Sequence, residues 1–307
     1  MKKALLIGSI TTDVTLMVDH LPHVEEDVNV HGETMRPGGC IFNIASVFRA
    51  KQLPYELCYA LGKGIFAKFL VEELSKRQMP AGYQSDEENG ACYCLVDKEG
   101  NRTFLAVHGA EYHFKEEMFS SLDPAQYAVV YAGGIDIEEE SGENILVCLE
   151  HMYACGVTVV FAPGPRIGYL SKERIKRLLA LRPVLHMNYR EGMTLAKCMG
   201  IRCSTKEEVV RSLNAMTNGV VVLTDGASPL TYCDGNGEVY QLLTEPVQQV
   251  DGTGAGDCHC GTLLCGLVEN KDLHETMQEA NYIASLVVGK QGGELCLTDI
   301  HSSNVKV

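Results

Sequence analysis

Short apolar runs alternate along this chain with longer stretches in which apolar residues recur at helical spacing. The runs at 4–10, 56–61, 128–132, 157–161, 184–186 and 219–223 predict strands. Between them, 41–52, 66–78, 144–155, 172–181 and 206–215 carry the period of amphipathic helices. Strand and helix taking turns in this way implies βαβ units, and so a mostly parallel sheet covered on both faces. Two regions break the rhythm. Residues 13–36 alternate with a period near two and carry no helix signal, and 91–107 (ACYCLVDKEGNRTFLAV) predict two strands around a turn at 97–101. Both fit a small β excursion from the α/β body. Ligands of open α/β sheets bind beyond the C-terminal strand ends, so a flap there would act as a lid that excludes water. With no internal repeat or linker, residues 1–307 are expected to form one domain with this lid.

Composition narrows the partners. The 307 residues suffice for a substantial core, and 46% are hydrophobic, an ordinary share for a globular protein. A formal net charge of −14 argues against nucleic acid or an anionic membrane as partner. Any phosphate ligand must then be held by backbone amides or a metal ion against the global field. The opening MKKALLIGSITTDV is interrupted by Gly8 and Asp13 and reads as a first strand rather than a signal peptide. No run approaches the roughly 20 apolar residues that span a bilayer. The thirteen cysteines include no Cys-x-x-Cys; they are expected to be small core residues of a reducing cytoplasm. Cys258 and Cys260 project to different sides of a helix, a poor zinc pair, and His259 between them is expected to pack or bond locally.

The sharpest chemistry lies in VDGTGAGD, 250–257. Three alternating glycines precede an apolar run at helical spacing, and Asp257 stands where a helix begins. A plain turn with an acidic cap is one reading. The other is an anion cradle, since amides without side chains and the positive end of a helix attract a phosphate. A carboxylate there repels an anion, which makes sense if Asp257 takes a proton from the nucleophile attacking it. Two familiar phosphate loops are excluded. Both Gly-Lys pairs lack the first glycine of a Walker loop, with Leu57 and Ala284 in its place. The G-x-G-x-x-G fingerprint fails because Asp257 occupies its last glycine.

Four segments in order resemble the ribokinase (PfkB) family of carbohydrate and nucleoside kinases: PGGCIFN at 37–43, NYRE at 188–191, LTDG at 223–226 and DGTGAGD at 251–257. The resemblance implies a ribokinase-like α/β fold, a central mostly parallel sheet with helices on both faces and a β lid. It implies Asp257 as the base, with the amides of Gly254, Ala255, Gly256 and Asp257 as the anion hole. Asp13, Gly38, Gly39 and Asn43 match the positions that read substrate hydroxyls. Asn188, Thr224, Gly226, Gly254 and Asn281 match the nucleotide side. Asn188 and Glu191 would hold Mg²⁺ through water, although the same pair also reads as a helix capping box. Asp251 and Thr253, with 289–294, would flank a K⁺ ion. Placed at a helix N-terminus, Asp257 is expected to have a depressed pKa.

Two departures stand out. GKGIFA at 62–67 lacks an Asp and a Gly usual in the family, and Ala162 stands where an acid is usual. The expected activity is ATP-dependent phosphorylation of a primary hydroxyl on a sugar or sugar-like molecule. A nucleoside such as pseudouridine is the alternative, with a base shelf from Phe104 or Tyr93. A non-catalytic ligand-binding relative is the alternative from another class. The expected partners are this small molecule, ATP, Mg²⁺ and K⁺, with a second copy of the chain meeting it through the lid.

Overall fold

The computed structural model describes residues 1–302. The strands are β1 (Lys3–Ile7), β2 (Thr11–Val18), β3 (Val30–Gly38), β4 (Tyr55–Cys58), β5 (Ala60–Lys63), β6 (Tyr83–Glu88), β7 (Ala91–Val96), β8 (Arg102–Val107), β9 (Tyr127–Gly133), β10 (Thr158–Ala162), β11 (Val184–Asn188), β12 (Val221–Thr224), β13 (Leu230–Cys233) and β14 (Val239–Leu242). The helices are α1 (Cys40–Ala50), α2 (Gly64–Lys76), α3 (Gly134–Glu138), α4 (Gly142–Ala154), α5 (Lys172–Ala180), α6 (Tyr189–Cys198), α7 (Lys206–Thr217), α8 (Ala255–Glu269), α9 (Leu273–Val288) and α10 (Leu297–Ser302).

The main sheet has the order β14-β13-β12-β11-β10-β9-β1-β4. Pairing is parallel from β4 to β12, and β13 and β14 complete it as an antiparallel meander. The expected parallel body is therefore present, with an antiparallel edge that the apolar pattern did not mark. Side chains alternate across each strand and supply two cores. Leu6, Tyr131, Val160 and Val222 pack with α1, α2, α8 and α9 on one face. Leu5, Ile7, Val130 and Leu185 pack with α4 to α7 on the other. Helix α8 is buried almost all round, so Cys258, Cys260 and Cys265 serve as small packing residues.

The sequence expectation of one strand at 56–61 needs correction. The Cys58 carbonyl accepts from Gly8 in the main sheet, whereas the Tyr59 carbonyl accepts from Tyr83 in a separate pair, β5–β6. One apolar run thus feeds two sheets. The first strand likewise stops at Ile7, and residues 8–10 cross into the lid.

The lid is a four-stranded sheet, β3-β2-β7-β8. Its register places side chains in rows on one face: Arg36, Asp13, Cys92, Ala106; then Thr34, Thr15, Cys94, Phe104; then Gly32, Met17, Val96, Arg102. Tyr93 points to the other face and meets Phe66 edge-on at 6.3 Å.

Candidate active site

The inner lid face and the loops at 249–253 and 290–294 enclose a cleft of about 1220 Å³, lined among others by Asp13, Gly38, Asn43, Phe104, Asp251 and Thr253. Each enters for a local reason. Asp13 lies on β2, where Thr11 Oγ1 donates to its Oδ1 at 2.9 Å. Gly38 is required by close approach, because a Cβ there would lie 2.1 Å from Asp13 Oδ2. Gly39 caps α1, which brings Asn43 inward to the start of α8. There Asn43 Nδ2 donates to Asp257 Oδ2 at 2.8 Å. The expected hydroxyl reader therefore also orients the expected base.

The glycine loop turns into α8 at Gly254, whose φ of 74° is left-handed. A side chain at Gly254 would also collide with Gly293, since its Cβ would lie 2.3 Å from that Cα. No side chain caps α8. Its first-turn amides, those of Ala255, Gly256 and Asp257 among them, precede the point where intrahelical acceptors begin. Gly256 faces open space. This is the geometry of an anion site at a helix N-terminus.

The expected depressed pKa of Asp257 is overturned. Burial pushes it up to about 6, against hydrogen bonds from Asn43 and Cys40 that favour the ionised form. Burial also raises Asp13 to about 6, opposed by the Thr11 bond and assisted by the charge of Asp257. Loss of solvent is the leading cause at both carboxyls, and it acts against the ionised form.

A second group of expected residues gathers at the C-terminal ends of β11 and β12, where Asn188 and Thr224 are in register. Asn188 and Glu191 form a reciprocal capping box for α6: Asn188 Oδ1 accepts from the Glu191 amide at 2.9 Å, and Glu191 Oε2 accepts from the Asn188 amide at 3.0 Å. Burial raises the Glu191 pKa, and the charge of Asp257 adds to it, so the two carboxyls share one field. A divalent cation would relieve that field, but both Glu191 oxygens already accept from Asn188, Oε1 from its Nδ2 at 2.7 Å, so a contact with Mg²⁺ would have to run through water. Gly226 forms an open turn with φ 56°. On α9, Asn281 Nδ2 donates to the Leu243 carbonyl at 3.3 Å. His259 bonds His186 at 2.8 Å in the core, a local role as expected.

Asp251 and Thr253 are engaged by the lid: Arg102 Nη1 donates to Asp251 Oδ1 at 2.6 Å and to Thr253 Oγ1 at 2.5 Å. The sequence reading missed this contact, and it also missed Asp136. That carboxyl is 1% exposed at the start of α3, and its Oδ1 accepts from the Ser9 amide at 2.8 Å. Burial pushes its pKa up to about 7, against the Ser9 bonds. The motif GGID at a strand end was its visible signal.

A mostly parallel sheet, a β lid and an open helix N-terminus beside a part-buried acid together point to a small-molecule phosphotransferase. The chain belongs to the pfkB family of carbohydrate kinases, whose model matches residues 1–300. It is 26% identical over 299 residues to the uncharacterized sugar kinase YegV of Escherichia coli, covering 97% of this chain and 92% of that protein. Against the nucleoside kinase of Methanothermobacter thermautotrophicus it is 23% identical, covering 96% and 92%. Among solved structures, a ribokinase from Thermotoga maritima superposes with a TM-score of 0.83 at 21% identity, covering 98% of this chain and 99% of that one. The fold is thus ribokinase-like and the chain is a sugar kinase by family. Among the described residues no helix is long and apolar enough to cross a membrane.

Proposed function

We propose that this kinase uses ATP and Mg²⁺ to phosphorylate a primary hydroxyl of an uncharged sugar or sugar-like molecule. The observation that carries this reading is the Asn43–Asp257 hydrogen bond at the open N-terminus of α8, beside the Asp13 cleft. In the proposed reaction the substrate oxygen bonds to the γ-phosphorus as the bond to the ADP oxygen breaks. The hydroxyl proton passes to Asp257. Asn43 aims that carboxylate, and the 254–257 amides take up charge on the transferring group. Such transition states are loose, so a base with a pKa near 6 is adequate. Asp13 would accept bonds from sugar hydroxyls. When bound, Mg²⁺ neutralises phosphate charge; Asn188 and Glu191 would hold it through water. Thr224, Gly226 and Asn281 would border the nucleotide.

The cation inventory supports an uncharged substrate. Of the cations lining the cleft, Arg102 is occupied by Asp251, Arg77 by Glu294 and Glu73, and Lys290 by Asp299, while Lys98 pairs with Asp19 at 2.8 Å on the lid. Arg36 has the neutral partner Gln291, at 3.3 Å. A sugar phosphate would find little more than this one cation. A nucleoside is the second reading, favoured by Phe104, which is 59% exposed on the inner lid face where a base could stack. The test is initial-rate ATP turnover with Mg²⁺ across neutral sugars, sugar phosphates and nucleosides. Turnover with neutral sugars is expected. Activity confined to sugar phosphates would overturn the substrate class, and binding of sugar without turnover would overturn the catalytic reading.

A further inference from the structure

The family resemblance implies a monovalent cation between residues 251–253 and 289–294. In this chain the residues of that junction do not fit one. Asp251 Oδ1 accepts from Arg102 Nη1 at 2.6 Å and from the Thr253 amide at 2.8 Å, while Oδ2 accepts from the Gly292 amide at 3.1 Å. Thr253 Oγ1 accepts from the same Arg102 nitrogen. The side-chain oxygens that could attract an alkali ion are thus taken by N–H donors, one of them carrying a full positive charge. A second cation would share that carboxylate with a guanidinium and be repelled by it.

The guanidinium comes from elsewhere in the chain. Arg102 opens β8, in the lid row that also holds Val96 and Met17, and it reaches a residue 149 positions away. Asp251 begins the loop whose Gly254 starts α8, so whatever holds Asp251 holds the cradle amides. The Asp251 side chain is 11% exposed and that of Arg102 32%. An enclosed carboxylate deprived of its partner is costly, unlike one on an open surface. Burial alone would raise the Asp251 pKa; the bonds from Arg102, Thr253 and Gly292 outweigh it and hold the group at about 2. The Asp251 carboxylate is therefore ionised throughout the physiological range.

We propose that Arg102 is the resident cation of the anion cradle: the closing lid delivers its guanidinium to Asp251 and Thr253, ordering the 254–257 amides in place of a monovalent ion. Arg102 is then a positioning residue that acts through Asp251. Lid closure over substrate and assembly of the anion hole become one event, which ties phosphoryl transfer to an occupied cleft. This rests on the kinase reading of the cleft, so the test has an arm that needs no turnover.

In the ligand-free protein, amide hydrogen exchange over 252–257 is followed with K⁺ or tetramethylammonium at equal ionic strength. Wild-type protection should be the same in both salts. Arg102→Ala should exchange at least tenfold faster, and millimolar methylguanidinium should slow it again. Asp251→Asn, which breaks the pair from the other side, should expose the same amides without rescue. In initial-rate assays with Mg-ATP, wild type should be indifferent to K⁺. Arg102→Ala should lose tenfold or more in kcat with the sugar KM little changed, recover with methylguanidinium, and be partly spared as Arg102→Lys. A wild-type enzyme that slows tenfold in tetramethylammonium would overturn the proposal in favour of a true K⁺ site. Unchanged exchange in Arg102→Ala, or an effect confined to the sugar KM, would overturn it and make Arg102 a substrate contact. If no candidate substrate is phosphorylated by wild type, the kinase reading fails while the exchange arm still decides the clamp.

Discussion

Asp257, the proposed base, has an unusual setting for one. Its carboxyl stands in the first turn of α8, yet burial holds its pKa near 6. The ionised form takes the proton, so kcat/KM should fall as pH drops through about 6 and level off above 7. Because Asp13 is raised to a similar value partly by Asp257, the limb belongs to the pair. Asp257→Asn should lower kcat by about 10²–10⁴ and leave little of that limb, as a pH–rate series on both proteins will read. Asp136 is a stability residue with the opposite signature. Its folded pKa of about 7 lies above the ordinary 3.8, so its contribution is complete below about 4 and is lost as pH rises through 7. Asp136→Asn can still accept the Ser9 amide bond. Its melting temperature should therefore fall less than that of wild type between pH 5.5 and pH 8, and equal falls would show that Asp136 does not titrate in the fold.

At the scale of elements, the start of helix α6 carries an observed cap and a proposed metal contact on residues three positions apart. The Asn188–Glu191 box satisfies the first amides of α6, and the same carboxylate lies in the field of Asp257. The two roles separate by substitution. Asn188→Ala removes the cap and should cost about 1 kcal/mol of stability. Glu191→Gln keeps a capping side chain while removing its charge. It should leave the denaturation midpoint near that of wild type and raise several-fold the Mg²⁺ concentration for half-maximal rate. An unchanged Mg²⁺ requirement would reduce Glu191 to a cap. Helix α8 shows the complementary economy, in that Gly254 both breaks from the loop and lets Gly293 approach its backbone.

For the whole molecule, the lid decides access to the cleft and presents an edge. On β8 the inward residues Arg102 and Phe104 alternate with Leu105 and Val107, which are 56% exposed on an edge strand. Exposed apolar edges invite pairing with another chain. A dimer joined through the lids is therefore expected by light scattering, and Leu105→Asp with Val107→Asp should shift it to monomer. A monomeric wild type at micromolar concentration would exclude that assembly.

The apolar rhythm and the four motifs determined the parallel body, the lid segments and nearly all the candidate groups, because periodicity and glycine placement are local properties. Asp13 and Gly38, Asn43 and Asp257, and Asn188 and Thr224 were each legible as separate positions. Only the tertiary structure joined them. It decided that Asn43 donates to Asp257, that Tyr93 leaves the cleft while Phe104 faces it, and that one run at 56–61 serves two sheets. It also reversed the direction of the Asp257 pKa shift, since a helix terminus can be read from sequence but enclosure by α1 and its neighbours cannot. The Arg102–Asp251 pair lies furthest from local reading. Charges so far apart along the chain meet only because β8 folds back as the edge of the lid, and no spacing in the sequence encodes that distance.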